Sequence, residues 1–266
     1  MRFQYDHDLH IHSGLSLCSK DPEQNKENIL RYAEEKGLHT ICITDHFWDE
    51  KVDVERIPWY FNQNYPHISQ ILPLPKSDKV RYLFGCETEL SKDMVLGLSK
   101  ERYDLFDFIV VPTTHLRCEP LTISKEEGAS AVRRGQLWSE RLDAVLSMDL
   151  PFHKVGIAHL LCGLMANPDE LLQTMQNISL LEAERLFKKA ANFGVGIEIN
   201  ADDVKHFEDE TKEISLKIYQ IAKESGCKFY LGSDAHHLRD FETCDERFAK
   251  AIDLLDLTEE DKYFGY

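Results

Sequence analysis

Short apolar runs alternate along this chain with longer stretches in which apolar residues recur every three or four positions. Thr40-Ile41-Cys42-Ile43-Thr44, Phe108 to Pro112, Val155 to Ala158, Val195 to Ile199 and Lys228 to Leu231 are compact enough to be buried strands. Residues 5 to 10 and Val80 to Cys86 complete a set of seven. Helical spacing fills the intervals. Ile29, Leu30 and Ala33 mark a helix over residues 25 to 36, and Gly37 stops it. Further helices are predicted over 126 to 148, from Asn167 onward, over 179 to 193 before Gly194, over 210 to 225 before Gly226, and over 241 to 255. Residues 47 to 79 are less regular. They hold Pro58, Pro66, Pro73 and Pro75 and the aromatic group Trp59-Tyr60-Phe61, which reads as a packed-down excursion with a short helix. A strand, a helix and a second strand within the first 44 residues form a βαβ unit, which calls for a parallel sheet and an α/β fold.

The polar residues that close these runs share a chemistry. Asp8-Leu9-His10-Ile11-His12-Ser13 sets two histidines two residues apart, on one face of a strand. Such a pair can converge on one metal ion, although an exposed strand edge carries the same pattern. Later strand ends decide between the two. They bring Asp45 and His46, Glu87, His115, His159, and Asp234 with His236. Parallel α/β barrels gather functional groups at these C-terminal ends. His7, His39, His67, His153 and His206 lie elsewhere and read as structural or exposed. Imidazoles mixed with carboxylates suit Zn²⁺, Mn²⁺ or Fe²⁺. The candidates outnumber what one ion can use, which points to two or three divalent ions.

Composition narrows the function. The 266 residues match one domain, residues 1–266, of the size of an α/β barrel. A formal net charge of -16 disfavours long DNA or RNA, whose partners carry a basic face. A small anionic substrate stays compatible if metal ions neutralise the site. Seven cysteines without a Cys-x-x-Cys pair fit reduced thiols. No apolar run approaches the roughly 20 residues of a membrane helix, and Met1-Arg2-Phe3-Gln4-Tyr5-Asp6 has no apolar signal region. The expectation is a cytoplasmic protein without a membrane partner. The oligomeric state is silent.

Taken together, Asp8-Leu9-His10-Ile11-His12-Ser13, Ile43-Thr44-Asp45-His46, Gly85-Cys86-Glu87, His115, His159 and Gly232-Ser233-Asp234-Ala235-His236 resemble the polymerase and histidinol phosphatase (PHP) superfamily. The motifs run in the family's order from residue 8 to about residue 240. The first and last are highly specific, whereas single residues at 115 and 159 are not. The resemblance implies a distorted seven-stranded (β/α) TIM-like barrel with a trinuclear metal centre. His10, His12, Glu87 and Asp234 would bind a first ion. Glu87 would bridge to a second, held by His115 and His159. His46 and His236 would hold a third, completed from the loop after His12. Some members use a histidine there. This chain has none between Ser13 and Lys36, so Asp21 is the acidic candidate. Asp21 before Pro22 is equally a helix cap. Glu198 also matches a family pattern and is expected to support the ligands, as is Asp45.

The function this implies is hydrolysis of a small phosphomonoester, with a hydroxide bridging two ions as nucleophile. Glu87, Asp234 and His236 are the residues assigned to catalysis. Arg117, Arg239 and Lys20 are the basic candidates for the phosphate, each also readable as a solvated surface charge. Histidinol phosphate is the leading substrate. A nucleotide phosphatase or an exonuclease is the enzymatic alternative, and a metal-binding module without turnover is the alternative of another class.

Overall fold

The computed structural model describes residues 1–54, 60 and 62–265. Trp59 and Phe61 of the aromatic group, and Pro58, lie outside them. Parallel strands alternate with helices, as the pattern predicts. The strands are β1 (His7–Ile11), β2 (Thr40–Ile43), β3 (His46–Phe47), β4 (Arg81–Phe84), β5 (Cys86–Thr88), β6 (Ile109–Pro112), β7 (Val155–Ala158), β8 (Gly196–Asn200) and β9 (Lys228–Gly232). The helices are α1 (Lys26–Lys36), α2 (Tyr65–Ile68), α3 (Ala131–Val145), α4 (Pro168–Gln176), α5 (Leu180–Phe193), α6 (Lys212–Glu224) and α7 (Cys244–Leu254).

One of the seven predicted runs is split, into β4 and β5 at Gly85, and the short β3 follows β2 after Thr44-Asp45, beyond the predicted run. A side chain at Gly85 would meet the Phe108 carbonyl at 2.5 Å and the Cys42 sulfur at 2.7 Å, so glycine is what lets the strands cross so closely. The ladders accordingly form two parallel sheets, β1-β2-β4 and β3-β5-β6-β7-β8-β9. Gly85 N–H donates to Ile43 O at 2.7 Å and Glu87 N–H to Asp45 O at 3.1 Å, which ties the sheets together at the split. At the other edge, Asp234 N–H donates to His10 O at 2.7 Å and His12 N–H to Ala235 O at 3.1 Å. The segment after β9 is thereby held beside the end of β1.

The core has two layers. Most strand residues are fully buried and pack outward against the helices, as expected for parallel sheets covered by α-helices. A smaller cluster lies between the strands and includes Cys42, Leu83, Val110, Ala158 and Tyr230, one from each of five strands. The Tyr230 ring fills the space in front of Gly156 and Gly196, where a Cβ would stand 2.5 Å and 3.0 Å from it. Two carboxylates stand at the level of this cluster: Glu87 lies in register with Val110, and Glu198 with Tyr230. The apolar cluster thus lies directly beside buried carboxylates.

Local signals set the helix ends. Asn25 caps α1 by accepting from Asn28 N–H, and Gly37 closes it with φ 71°. Ser179 and Gly194 do the same for α5. The Asp21-Pro22 cap expected for the first helix is not used, because the chain turns once more before Asn25. Asp21 accepts from Glu23 N–H instead, at 2.9 Å. The long helix predicted over 126 to 148 shortens to α3, since Ser130 takes an extended conformation and caps Ala131 onward.

Candidate metal centre

His10 and His12 leave the end of β1 with their rings 5.2 Å apart. Strand-end residues close in from around the sheets. His46 starts β3, Glu87 sits within β5, His115 follows β6, His159 follows β7, and Asp234 with His236 follows β9. Glu87 is the hub. One of its oxygens lies 3.1 Å from His46 Nδ1, 3.4 Å from His12 Nε2 and 3.6 Å from His10 Nε2, and the other lies 3.2 Å from His159 Nε2. Asp234 Oδ1 stands 3.0 Å from His12 Nε2 and 3.5 Å from His10 Nε2. Asp234 holds φ 53°, a left-handed conformation that aspartate tolerates better than most residues.

Five imidazoles are oriented through Nδ1, leaving Nε2 for the centre. His10 Nδ1 bonds Glu198 Oε1 at 2.8 Å, and His115 Nδ1 bonds Glu89 Oε1 at 2.8 Å. His12 Nδ1 meets Ser16 Oγ at 3.0 Å, His159 Nδ1 meets Thr114 Oγ1 at 3.2 Å, and His236 Nδ1 meets the Asp234 carbonyl at 2.6 Å. His46 is turned the other way, with Nδ1 toward Glu87 and 3.2 Å from the Tyr60 hydroxyl. Metal-binding histidines are characteristically held this way, one nitrogen fixed by a carboxylate, carbonyl or hydroxyl and the other presented.

Electrostatics follow from burial and pairing. Burial lowers the proton affinity of His12, but Asp234 and Glu87 outweigh it and raise the pKa to about 9. His10, desolvated but surrounded by Glu198, Asp234 and Glu87, is likewise raised well above the ordinary value. His46, desolvated and facing other imidazoles, falls to about 3. Glu87 and Asp234 are pulled far below the carboxylate range by these histidines, against their burial. His10 Nε2 is fully buried without a hydrogen-bond partner, and so is Glu89 Oε2. Buried polar atoms of this kind are costly unless something binds them.

A divalent ion would satisfy them. Among the described residues, five overlapping groups offer ligand atoms within 4.8 Å of one another: His10, His12 and Asp234; His12, His46 and Glu87; Glu87, Glu89 and His115; His115, His159 and Cys162; His12, Cys18 and His236. The donors are imidazole and carboxylate with thiol at two edges, a set that fits zinc or another divalent transition metal.

Comparison with known proteins adds the fold. No family model matches the chain. The histidinol phosphate phosphatase of Lactococcus lactis subsp. lactis Il1403, solved with zinc, L-histidinol and phosphate, superposes with a TM-score of 0.53. It is 15% identical and covers 94% of this chain and 92% of its own. A protein of Listeria monocytogenes assigned as a histidinol phosphatase gives 0.58, at 13% identity over 89% of this chain and 97% of its own. The chain has a histidinol phosphatase fold. Two curated proteins named "Probable phosphatase", from Caldicellulosiruptor saccharolyticus and Caldicellulosiruptor bescii, are each 23% identical over 242 residues. These residues make up 90% of this chain and 83% and 82% of theirs. The fold implied by the motifs is thus shared with these histidinol phosphatases.

Within this histidinol phosphatase fold the remaining candidates separate. Asp45 is not in the ligand groups. It accepts from Ser13 N–H at 2.7 Å and Ser13 Oγ at 2.6 Å, and so fixes the turn after His12. Glu198 reaches past His10 to accept from His159 N–H at 2.6 Å. Asp21 also falls outside the groups, and pairs with His237 at 3.4 Å. Arg117 and Lys20 are exposed. Arg239 lines a cavity of about 490 Å³ that opens beside Asp234 and His236.

Sequence reasoning passed over three residues here. Glu89 shares the strand face of Glu87, the same spacing that marks His10 and His12, so the signal was present. Arg247 lines the same cavity as Arg239, from α7, with no motif to mark it. Cys18 stands at the His12–His236 edge, and in the sequence it reads as one of several ordinary thiols.

Proposed function

We propose that this chain, folded as one domain over residues 1–266, is a metal-dependent phosphatase of small phosphomonoesters. The observation that carries the reading is the Glu87 hub, a buried carboxylate shared by four imidazoles whose ring nitrogens face a common centre. His10, His12, Glu87 and Asp234 would hold one ion, Glu87 with His115 and His159 a second, and His46 with His236 a third. Bound divalent ions supply a water deprotonated near neutral pH and charge to match the phosphate oxygens.

The chain's own residues do the rest. Glu198 and Glu89 fix the rings of His10 and His115, so the donor set is organised before substrate arrives. Arg239 and Arg247 offer guanidinium groups on the cavity wall next to Asp234 and His236, suited to phosphate oxygens. Arg247 is itself positioned by the Ala201 carbonyl at 3.2 Å. Glu242 lines the same cavity and suits a substrate with a cationic group beyond its phosphate, while Asp202 pairs with Lys205 and Arg247, and Asp240 accepts from the N–H groups of His236 and His237 at 2.9 Å. That combination favours an amino-alcohol phosphate such as histidinol phosphate over a nucleotide, and the net charge of -16 disfavours a polynucleotide.

The test measures metal content by elemental analysis and phosphate release from a panel containing histidinol phosphate, sugar phosphates and mononucleotides. Two or three ions per chain with turnover of a small ester is expected. Bound metal without hydrolysis of any ester would favour a non-catalytic metal-binding module. Absence of metal after reconstitution would overturn the reading.

A further inference from the structure

The loop after His12 supplies a donor that is neither the histidine of related proteins nor the acidic residue at position 21. Cys18 offers its sulfur within 4.8 Å of ligand nitrogens of both His12 and His236. The loop is fastened there at several points. Gly14 N–H bonds Gln24 O at 2.8 Å and closes the loop on itself. Gln24 Nε2 reaches His12 O at 2.9 Å and Ala235 O at 3.2 Å, spanning the two segments that carry the histidines. The Ser19 hydroxyl donates to the carbonyl of His236 at 2.7 Å, one residue from Cys18. His236 spends Nδ1 on the Asp234 carbonyl, which leaves Nε2 as its only lone pair. Asp21 is turned away toward His237. The other thiol near the centre, Cys162, sits on the far side with His115 and His159; each thiol has a hydroxyl at 3.4 Å, Ser16 for Cys18 and Thr114 for Cys162.

We propose that Cys18 is a metal ligand, its thiolate joining His236 at the outer edge of the centre beside His12. On binding, the S–H proton leaves to solvent and an S–metal bond takes its place. A thiolate with imidazole selects Zn²⁺ over the harder Mn²⁺, so this position would be a zinc site even in a cell rich in manganese. The inference rests on the metal-centre reading but not on turnover.

The experiment loads the full chain with Co²⁺ and records its near-ultraviolet absorption, where a thiolate ligand adds a sulfur-to-cobalt charge-transfer band. Wild type should show the band. Cys18→Ser should lose it together with one ion per chain, Cys18→His should recover the ion without the band, and Cys162→Ser should keep the band. In wild type, zinc should also shield Cys18 from alkylation by iodoacetamide, read by peptide mass spectrometry, so the outcome does not depend on any variant folding. A band that survives Cys18→Ser, a fully loaded wild type without a band, or equal alkylation of Cys18 with and without zinc would each overturn the proposal. Failure of the phosphatase reading looks different: all these spectra unchanged, and no phosphate released.

Discussion

The two sides of the metal centre are built in different ways. On the inner side, His10 and Asp8 in β1 and Glu198 in β8 are fully buried. Asp8 accepts from Ser233 N–H at 2.9 Å, and Glu198 spans His10 and His159. On the outer side, Asp234 and His236 are part-exposed, Arg239 is exposed, and the segments between 13 and 24 and between 233 and 247 form the walls. The inner side is a fixture of the fold, so damage there should appear as lost metal and lost stability. The outer side meets solvent and substrate, so damage to its basic residues should appear as altered kinetics in a folded protein, and damage to its candidate ligands as loss of an ion without loss of the fold.

Predictions can be ranked by how hard they press on that contrast. The largest effect is expected from Glu87→Gln. It removes the charge shared by four buried imidazoles, and breaking a buried pair costs about 3–5 kcal/mol. Metal content measured after dialysis should collapse along with turnover; retention of all ions would refute the hub. Arg141→Met comes next. Arg141, on α3, is almost fully buried and donates to the carbonyls of Thr113, Ser91, Thr122 and Leu90, just beyond Glu89 and just before His115. Burial brings its pKa down to about 10, so it stays charged at neutral pH. Leaving those acceptors unpaired should cost at least about 3 kcal/mol and lower the melting temperature by several degrees, with weaker metal retention.

Gly232→Ala tests the inner side from behind. Its Cβ would fall 1.9 Å from Glu198 Oε1 and 2.7 Å from His10 Cβ. Displacing Glu198 should weaken metal affinity by about 10–100-fold in a chelator competition, and unchanged affinity would mean that Glu198 is dispensable. On the outer side, Arg239→Ala with Arg247→Ala should leave metal content and melting unchanged. Each should raise KM, the loss of a charged hydrogen bond being worth about 1.5–3 kcal/mol. The smallest effect is expected for Lys20→Ala, within about 0.5 kcal/mol on any readout. A large kinetic loss there would move the phosphate contact to the loop after β1.

The same division explains what could be read in advance. Apolar runs and helical periods located the longer strands but not the two-residue β3, because burial on both faces leaves a continuous signature only over several residues. Strand ends then pointed to His10, His12, Glu87, His115 and His159, since a β-strand fixes which face each side chain takes. The split at Gly85 was not readable, because it depends on how closely the Phe108 carbonyl crosses another strand. Arg247 and Cys18 were not readable either. Their placement comes from loop closure and helix docking, through contacts such as Gln24 with Ala235, and no periodicity encodes those. Glu89 was readable and was missed, its spacing from Glu87 being the same as that of His10 from His12.

The sharing of Glu87 also bears on how the centre fills. A carboxylate that touches His10, His12, His46 and His159 cannot be turned toward one ion without changing what its other oxygen offers to the next. If the centre holds more than one ion, the first to bind would set the Glu87 carboxylate that a second would otherwise have to set itself. Loading would then be cooperative, and a cell short of metal would hold a mixture of full and empty molecules, with few half-filled ones. Native mass spectrometry during titration would count those populations directly. Under scarcity, activity would track the number of complete molecules and each complete molecule would work at full rate.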